Sequence, residues 1–190
     1  MKLIARKTYR IGAGIIFPLV YYFSTNKIIV EILLFYLMGM MTVIEIMRRL
    51  SPNIWKVMVE HSHGILREKE GFITGTMALL LSNAIVIAFF DKWVAIISLL
   101  FMLFGDTAAS VIGSQYGKVK MGDKTLEGSL SFFITTIAIA LIFYKFVPIH
   151  LIVLIIGAVV ATIVEALPLK INDNLTVAIA SAIAMQIFVF

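Results

Sequence analysis

Apolar residues fall along the chain in seven runs, near 9–24, 28–47, 72–90, 93–113, 128–146, 149–167 and 174–190, separated by short stretches where charge, glycine, proline or asparagine collect. Each run approaches the about 20 predominantly apolar residues that carry a helix across a bilayer. The pattern predicts an all-α, multi-pass membrane bundle of about seven spans. Gly12, Gly14 and Pro18 interrupt the first run, which leaves open a continuous helix or a broken, re-entrant one lining a cavity. Between the second and third runs, Arg48 to Gly71 reads as soluble. Ser51 followed by Pro52 marks a helix start, and Ile54, Trp55, Val57, Met58 and Leu66 stand among Lys56, Glu60, Arg67, Glu68 and Lys69. That mixture predicts a helix lying in the membrane interface.

Composition supports this picture. The 190 residues are 61% hydrophobic and 14% charged, whereas soluble domains carry about 25% charged residues. No linker divides the chain, so residues 1–190 are expected to form a single membrane domain. The absence of cysteine excludes disulfides, cysteine-ligated zinc, iron–sulfur clusters and a thiol nucleophile. His61 and His63 are two residues apart, on different faces of a helix, which argues against zinc.

The net charge of +5 is spread through loops, not gathered into the stripe that nucleic acid requires. Its use is topological. With seven spans, one side receives Lys2, Arg6, Lys7 and Arg10, the Arg48 to Gly71 segment, Lys118, Lys120, Lys124 and Lys170, while the other receives Lys27, Lys92 and Lys145. The positive-inside rule therefore predicts a cytoplasmic N-terminus. The basic N-terminus imitates a signal peptide, but no A-x-A-like site follows and retention is expected. No internal repeat is visible, which removes one support for a transporter built on inverted repeats.

Candidate chemistry centres on Gly105 to Gly128. Asp106 is the sole charge of its apolar run, where a carboxylate costs about 2.5–3.5 kcal/mol and is rarely found without a partner or a task. After it come Gly113, Gly117 and Gly122, which permit close backbone approach or positive φ, and Lys118, Lys120 and Lys124. A carboxylate, a glycine-rich turn and lysines suit a metal-bound polyphosphate. Gly113-x-x-x-Gly117-Lys118 is one residue short of a P-loop and lacks its Ser/Thr. Thr125 or Ser129 is placed to cap the following helix, whose N-terminus near Gly128 would face an anion.

Asp106, Ala109, Gly113 and Gly117, then Lys124, Thr125, Glu127 and Gly128, resemble the nucleotide-site signature of the CTP-dependent lipid kinases, the family of dolichol kinase, phytol kinase and CTP-dependent diacylglycerol kinase. Weaker likenesses are Arg6-Lys7, Arg67 and Glu70 before Gly75, and Glu165 with Asp173-Asn174-Leu175. Arg10 stands where that family usually has a histidine, and the stretch from Gly117 to Lys124 is short and lacks tryptophan. The resemblance implies transfer of the terminal phosphoryl group of CTP to a membrane lipid hydroxyl, on an isoprenoid alcohol such as a polyprenol, or on phytol or diacylglycerol. It makes residues 113–128 the cytoplasmic nucleotide-binding loop and 48–71 a cytoplasmic interfacial segment.

On that basis Asp106, Lys124, Glu165 and Asp173 are the candidate catalytic residues, and Asp106, Glu165 and Asp173 the candidate ligands of Mg²⁺ or another divalent cation, using the oxygens such ions prefer. Gly113, Gly117, Lys118, Lys120, Lys124, Thr125, Glu127, Gly128, Arg6, Lys7, Arg67, Glu70 and Asn174 are the candidate nucleotide contacts. Plainer roles stay open for several of them. Asp173 or Asn174 caps the last helix, Arg6 and Lys7 set topology, and Arg67 and Glu70 pair on the interfacial helix. The alternatives are a CTP:phosphatidate cytidylyltransferase and, in another class, a proton-coupled transporter of an anionic solute.

Overall fold

A computed structural model describes residues 2–62, 66, 72–169 and 171–189, the side chains of residues 2–7 excepted. The described residues form helices α1 (Lys2–Phe23), α2 (Lys27–Leu50), α3 (Pro52–His61), α4 (Gly75–Phe89) and α5 (Lys92–Tyr116), a hairpin of β1 (Lys120–Met121) and β2 (Lys124–Thr125), and helices α6 (Leu126–Phe143), α7 (Leu151–Ala166) and α8 (Asp173–Gln186). The polar breaks in the apolar pattern set the helix starts. Asn26, Thr74, Thr125 and Asn172 accept the N–H of Ile28, Met77, Gly128 and Asn174, which caps α2, α4, α6 and α8. Pro52 opens α3, where its missing N–H has no cost.

Helix α5 is the central element and packs against α1, α4, α6, α7 and α8. From Val94 to Leu103 its residues are all buried, as befits a helix apolar around its whole circumference. Small residues bring its neighbours close. A Cβ at Gly14 would lie 2.5 Å from Leu103 Cδ1, and one at Gly105 2.5 Å from the Phe132 ring. Ala158, Ala161, Ala178 and Ala182 are fully buried along α7 and α8, the small-residue packing typical of membrane bundles. Helix α2 contrasts with α5. Val30 and Leu34 are buried in it, while Ile28, Ile29, Ile32, Phe35 and Tyr36 are exposed, an apolar face suited to lipid.

Among the described residues three helices, α2, α5 and α6, are long and apolar enough to cross a membrane. Helix α4 has 15 residues, α7 16 and α8 14, so α8 extends roughly 21 Å at 1.5 Å per residue against the ~30 Å of a bilayer core. The apolar runs of the sequence are longer than these helices because their ends include capping and turn residues.

One open alternative is decided and one expectation is revised. Helix α1 runs unbroken through Gly12, Gly14 and Pro18. The expected 113–128 loop is mostly ordered structure: α5 continues to Tyr116, the antiparallel hairpin pairs Lys120 with Thr125 and Met121 with Lys124, and α6 begins at Leu126. Gly122 takes φ 65° at the first position of the two-residue turn, a conformation glycine adopts without steric cost. The described residues are all-helical apart from this hairpin, and a helix, α3, forms within the 48–71 segment.

Contacts between chain-distant residues separate two ends of the bundle. At one, Lys27 Nζ donates to Ala88 O at 3.1 Å, Lys92 Nζ to Ser24 O at 2.9 Å, and Gln186 Nε2 to Asp91 Oδ2 at 2.7 Å. At the other meet the start of α1, the end of α2, the start of α4, the end of α5, the hairpin, the end of α7 and the start of α8.

Candidate functional site

That second end holds a cavity of about 860 Å³, within the roughly 300–1,000 Å³ range of small-molecule sites. Three helix N-termini open onto it: Thr74-Gly75-Thr76 of α4, Thr125 and Gly128 of α6, and Asn172-Asp173-Asn174 of α8. Each brings the positive end of a helix dipole.

Two ion-pair assemblies cross the cavity. Arg10 from α1 meets Asp106 from α5, Nη1 to Oδ2 at 3.1 Å, with side chains 22% and 19% exposed. The other Arg10 amine donates to Asn174 Oδ1, and Asn174 Nδ2 donates to Gly75 O at 3.2 Å. Asn174 is fully buried, so one carboxamide joins α1, α8 and α4. In the second assembly Lys124 Nζ lies 3.2 Å from Asp173 Oδ2 and 3.5 Å from Glu165 Oε1, and also donates to Glu165 O. Glu165 is buried and accepts from Ser129 Oγ at 2.9 Å. Lys124 thereby ties the hairpin to α7 and α8. With charges drawn from α1, α5, β2, α7 and α8, groups far apart in sequence share one chamber.

Of the sequence candidates, Asp106, Gly113, Lys124, Thr125, Gly128, Glu165, Asp173 and Asn174 line this cavity. Gly117, Lys118, Lys120 and Glu127 lie outside its lining. Lys118 and Lys120 are exposed. The Glu127 carboxylate accepts the Val119 N–H at 3.3 Å from both oxygens, which braces the hairpin. Arg67 and Glu70 fall outside the described residues, as do the side chains of Arg6 and Lys7.

The glycines pack helices. A Cβ at Gly117 would lie 2.3 Å from Gly113 O, one at Gly113 2.8 Å from Thr125 Oγ1, and one at Gly128 2.9 Å from Ala109 O. They let the end of α5 and the start of α6 touch, and Thr125, Lys124 and Asp106 line the same cavity. The Gly128 N–H is taken by its cap Thr125.

Sequence reasoning did not select Arg10, Thr74, Ser110 or Asp123, all of which line the cavity. For Arg10 a signal existed: it follows Arg6 by four residues, on the same helix face one turn deeper into the apolar run. Glu45, buried at the end of α2, accepts the Thr74 N–H at 2.5 Å and pairs with Arg48 at 2.8 Å. It fixes the start of α4 from behind the cavity wall.

Carboxylate and carboxamide oxygens are the donors a hard divalent cation takes. Their arrangement does not fit a protein-held metal site, because Asp106, Glu165 and Asp173 each face a cation. Among the described residues no group of three His, Asp or Glu side chains is gathered to hold an ion. Val57 O accepts from His61 Nδ1 at 2.8 Å.

No family model matches the chain, and no solved structure matches it. An uncharacterised protein of Rickettsia prowazekii is 29% identical over 193 residues, which cover 96% of this chain and 93% of that protein. The CTP-dependent diacylglycerol kinase 1 of Eremothecium gossypii is 31% identical over 150 residues, or 65% of this chain. This chain spans 47% of that kinase's length. The chain is thus similar, through much of its length, to a kinase that acts on a lipid.

Proposed function

We propose that the protein is a CTP-dependent lipid kinase of about seven spans, with the cavity and the N-terminus on the cytoplasmic side. One observation carries the reading: Asp106, Lys124, Glu165 and Asp173, from four separate elements, line a single cavity at one end of an apolar bundle. The likeness to a CTP-dependent diacylglycerol kinase supports the nucleotide and the lipid. Loop lysines and arginines support the orientation, and that end of the bundle is then where nucleoside triphosphates are found.

In this reading the triphosphate lies among three helix N-termini, Arg10 and Lys124. The acceptor is a membrane alcohol, either an isoprenoid alcohol such as a polyprenol or a diacylglycerol. It reaches the chamber past the apolar rim of Met121, Pro168, Leu169 and Ile171. Its hydroxyl oxygen bonds to the γ-phosphorus, the bond from γ-phosphorus to the bridging oxygen breaks, CDP leaves, and the hydroxyl proton passes to a cavity carboxylate or to water. Phosphoryl transfer asks chiefly for positioning and charge neutralisation, and the cavity's cations and dipoles are arranged for both. Any metal ion on the triphosphate is treated as part of the nucleotide substrate.

The test uses purified protein, an acceptor panel and CTP labelled at either the α or the γ phosphorus. Label from the γ position alone on the lipid is the expected result. Label from the α position on the lipid would mean cytidylyl transfer, and solute movement without nucleotide consumption would mean a transporter.

A further inference from the structure

The hairpin closes on a two-residue turn, Gly122-Asp123, between the register partners Met121 and Lys124. Directly opposed residues of an antiparallel pair put their side chains on one face, so Met121 stands on the same side as Lys124, which is tied to Asp173 and Glu165. That tether fixes the turn at the rim of the chamber. A Cβ at Gly122 would lie 4.0 Å from Pro168 Cβ, and Leu169 and Ile171 follow Pro168 in the same lining. Met121 is 39% exposed, Leu169 42% and Ile171 58%, an apolar surface of the kind that a lipid chain covers.

Asp123 interrupts this apolar rim with a carboxylate, exposed and part of the chamber lining. Turn aspartates commonly bond the backbone two residues on, yet among the described residues Asp123 makes no hydrogen bond and no ion pair. The other carboxylates of the lining are engaged: Asp106 pairs with Arg10, and Glu165 and Asp173 with Lys124. Lys124, next in the chain, already shares its charge between those two acids, and exposed Lys120 lies outside the lining. A carboxylate set between an apolar rim and a polar chamber is complementary to a lipid that ends in a hydroxyl donor. It repels a lipid that ends in a phosphate.

We infer that Asp123 recognises the acceptor: its carboxylate takes the hydrogen bond of the lipid hydroxyl while the chain lies on Met121, Leu169 and Ile171. This rests on the reading of the chamber as a kinase site, and it names the group that receives the proton. As the hydroxyl oxygen bonds to the γ-phosphorus, the bond from γ-phosphorus to the bridging oxygen breaks and CDP leaves with that electron pair. The hydroxyl proton passes to an Asp123 oxygen, as general-base catalysis requires. Once Asp123 has lost that proton to water, a lipid phosphate stands beside a carboxylate, and like charge favours its release. The same repulsion keeps phosphate-bearing lipids from entering as acceptors.

The full chain in lipid nanodiscs tests this by irradiation with a short isoprenoid alcohol that carries a diazirine beside its hydroxyl, the labelled peptides being read by mass spectrometry. Labelling is expected on the hairpin and at Leu169 or Ile171. Asp123→Ala removes the acceptor oxygen and should lower labelling about tenfold, the usual effect of losing a hydrogen bond to a charged group. Asp123→Asn keeps an acceptor oxygen and loses the charge, so labelling persists while transfer of γ-label falls about 10²–10⁴-fold, the contribution of a general base. In Asp123→Asn the phosphate ester of the same alcohol also displaces the probe, which it does not do from the unaltered protein. A residue that merely shaped the turn would not separate binding from transfer in this way. Labelling confined to other parts of the chain, or Asp123→Asn that transfers at the unaltered rate, would overturn the assignment. Failure of the kinase reading looks different: the probe labels the hairpin and Asp123→Ala loses that labelling, yet no γ-label reaches any lipid.

Discussion

The two ends of the bundle are built from similar materials and differ in what they enclose. At the Asp91 end, Lys27 and Lys92 spend their charges on backbone carbonyls, and Asp91 and Gln186 exchange two hydrogen bonds. Those are the contacts of helix ends being tied together. At the Asp106 end, five charged side chains from α1, α5, β2, α7 and α8 meet across a chamber with three helix N-termini aimed into it. Structure alone needs no such concentration of charge around open volume. The lesson is that a buried charge becomes informative when its neighbours line a cavity, and is ordinary when they close a helix end.

Lys124→Met breaks this contrast most severely. It removes the cation shared by Glu165 and Asp173, and the rate of phosphoryl transfer should fall by about 10²–10³-fold, the usual effect of deleting one preorganised electrostatic contact. A labelled-nucleotide assay reads it. Next is Gly117→Ala, outside the chamber: the new methyl group meets Gly113 O at 2.3 Å, and overpacking of this kind costs about 1–3 kcal/mol. Thermal unfolding in detergent should show the loss, with slower transfer because Thr125, 2.5 Å from the new methyl group, is displaced together with the neighbouring Lys124.

Smaller effects sharpen the comparison from the other end. Asp91→Asn weakens the reciprocal bonding to Gln186 and should cost about 0.5–1.5 kcal/mol of stability with transfer unchanged. Lys27→Ala, whose lysine is half exposed and 4.0 Å from Glu31, should change the unfolding midpoint little, by no more than about 1 kcal/mol. Loss of transfer in either variant would show that the ends are not functionally distinct.

The hydrophobic pattern revealed the helices well, because in a chain this apolar each break must carry the caps. Thr125 capping α6 was legible in that way, whereas the cap of α8, expected at Asp173 or Asn174, is Asn172. The likeness of Asp106 and Lys124 to one signature anticipated a shared chamber, which the fold supplies through the glycine contacts between α5 and α6. The sequence hid two things. The spacing from Arg6 could single out Arg10, but not its partner Asn174, 164 residues away, which no spacing rule reaches. Gly117 reads equally well as a phosphate-wrapping residue or a packing notch, and only the position of the Thr125 side chain, 2.5 Å from a Cβ there, identifies the packing role.

The most direct measurement follows γ-labelled CTP into lipid in a reconstituted membrane, with the unaltered protein beside Asp106→Asn at equal insertion. The account predicts a labelled lipid phosphomonoester from the former and a rate at least about 10²-fold lower from the latter. Equal rates from both proteins, or no labelled lipid from the unaltered protein with any alcohol supplied, would contradict it.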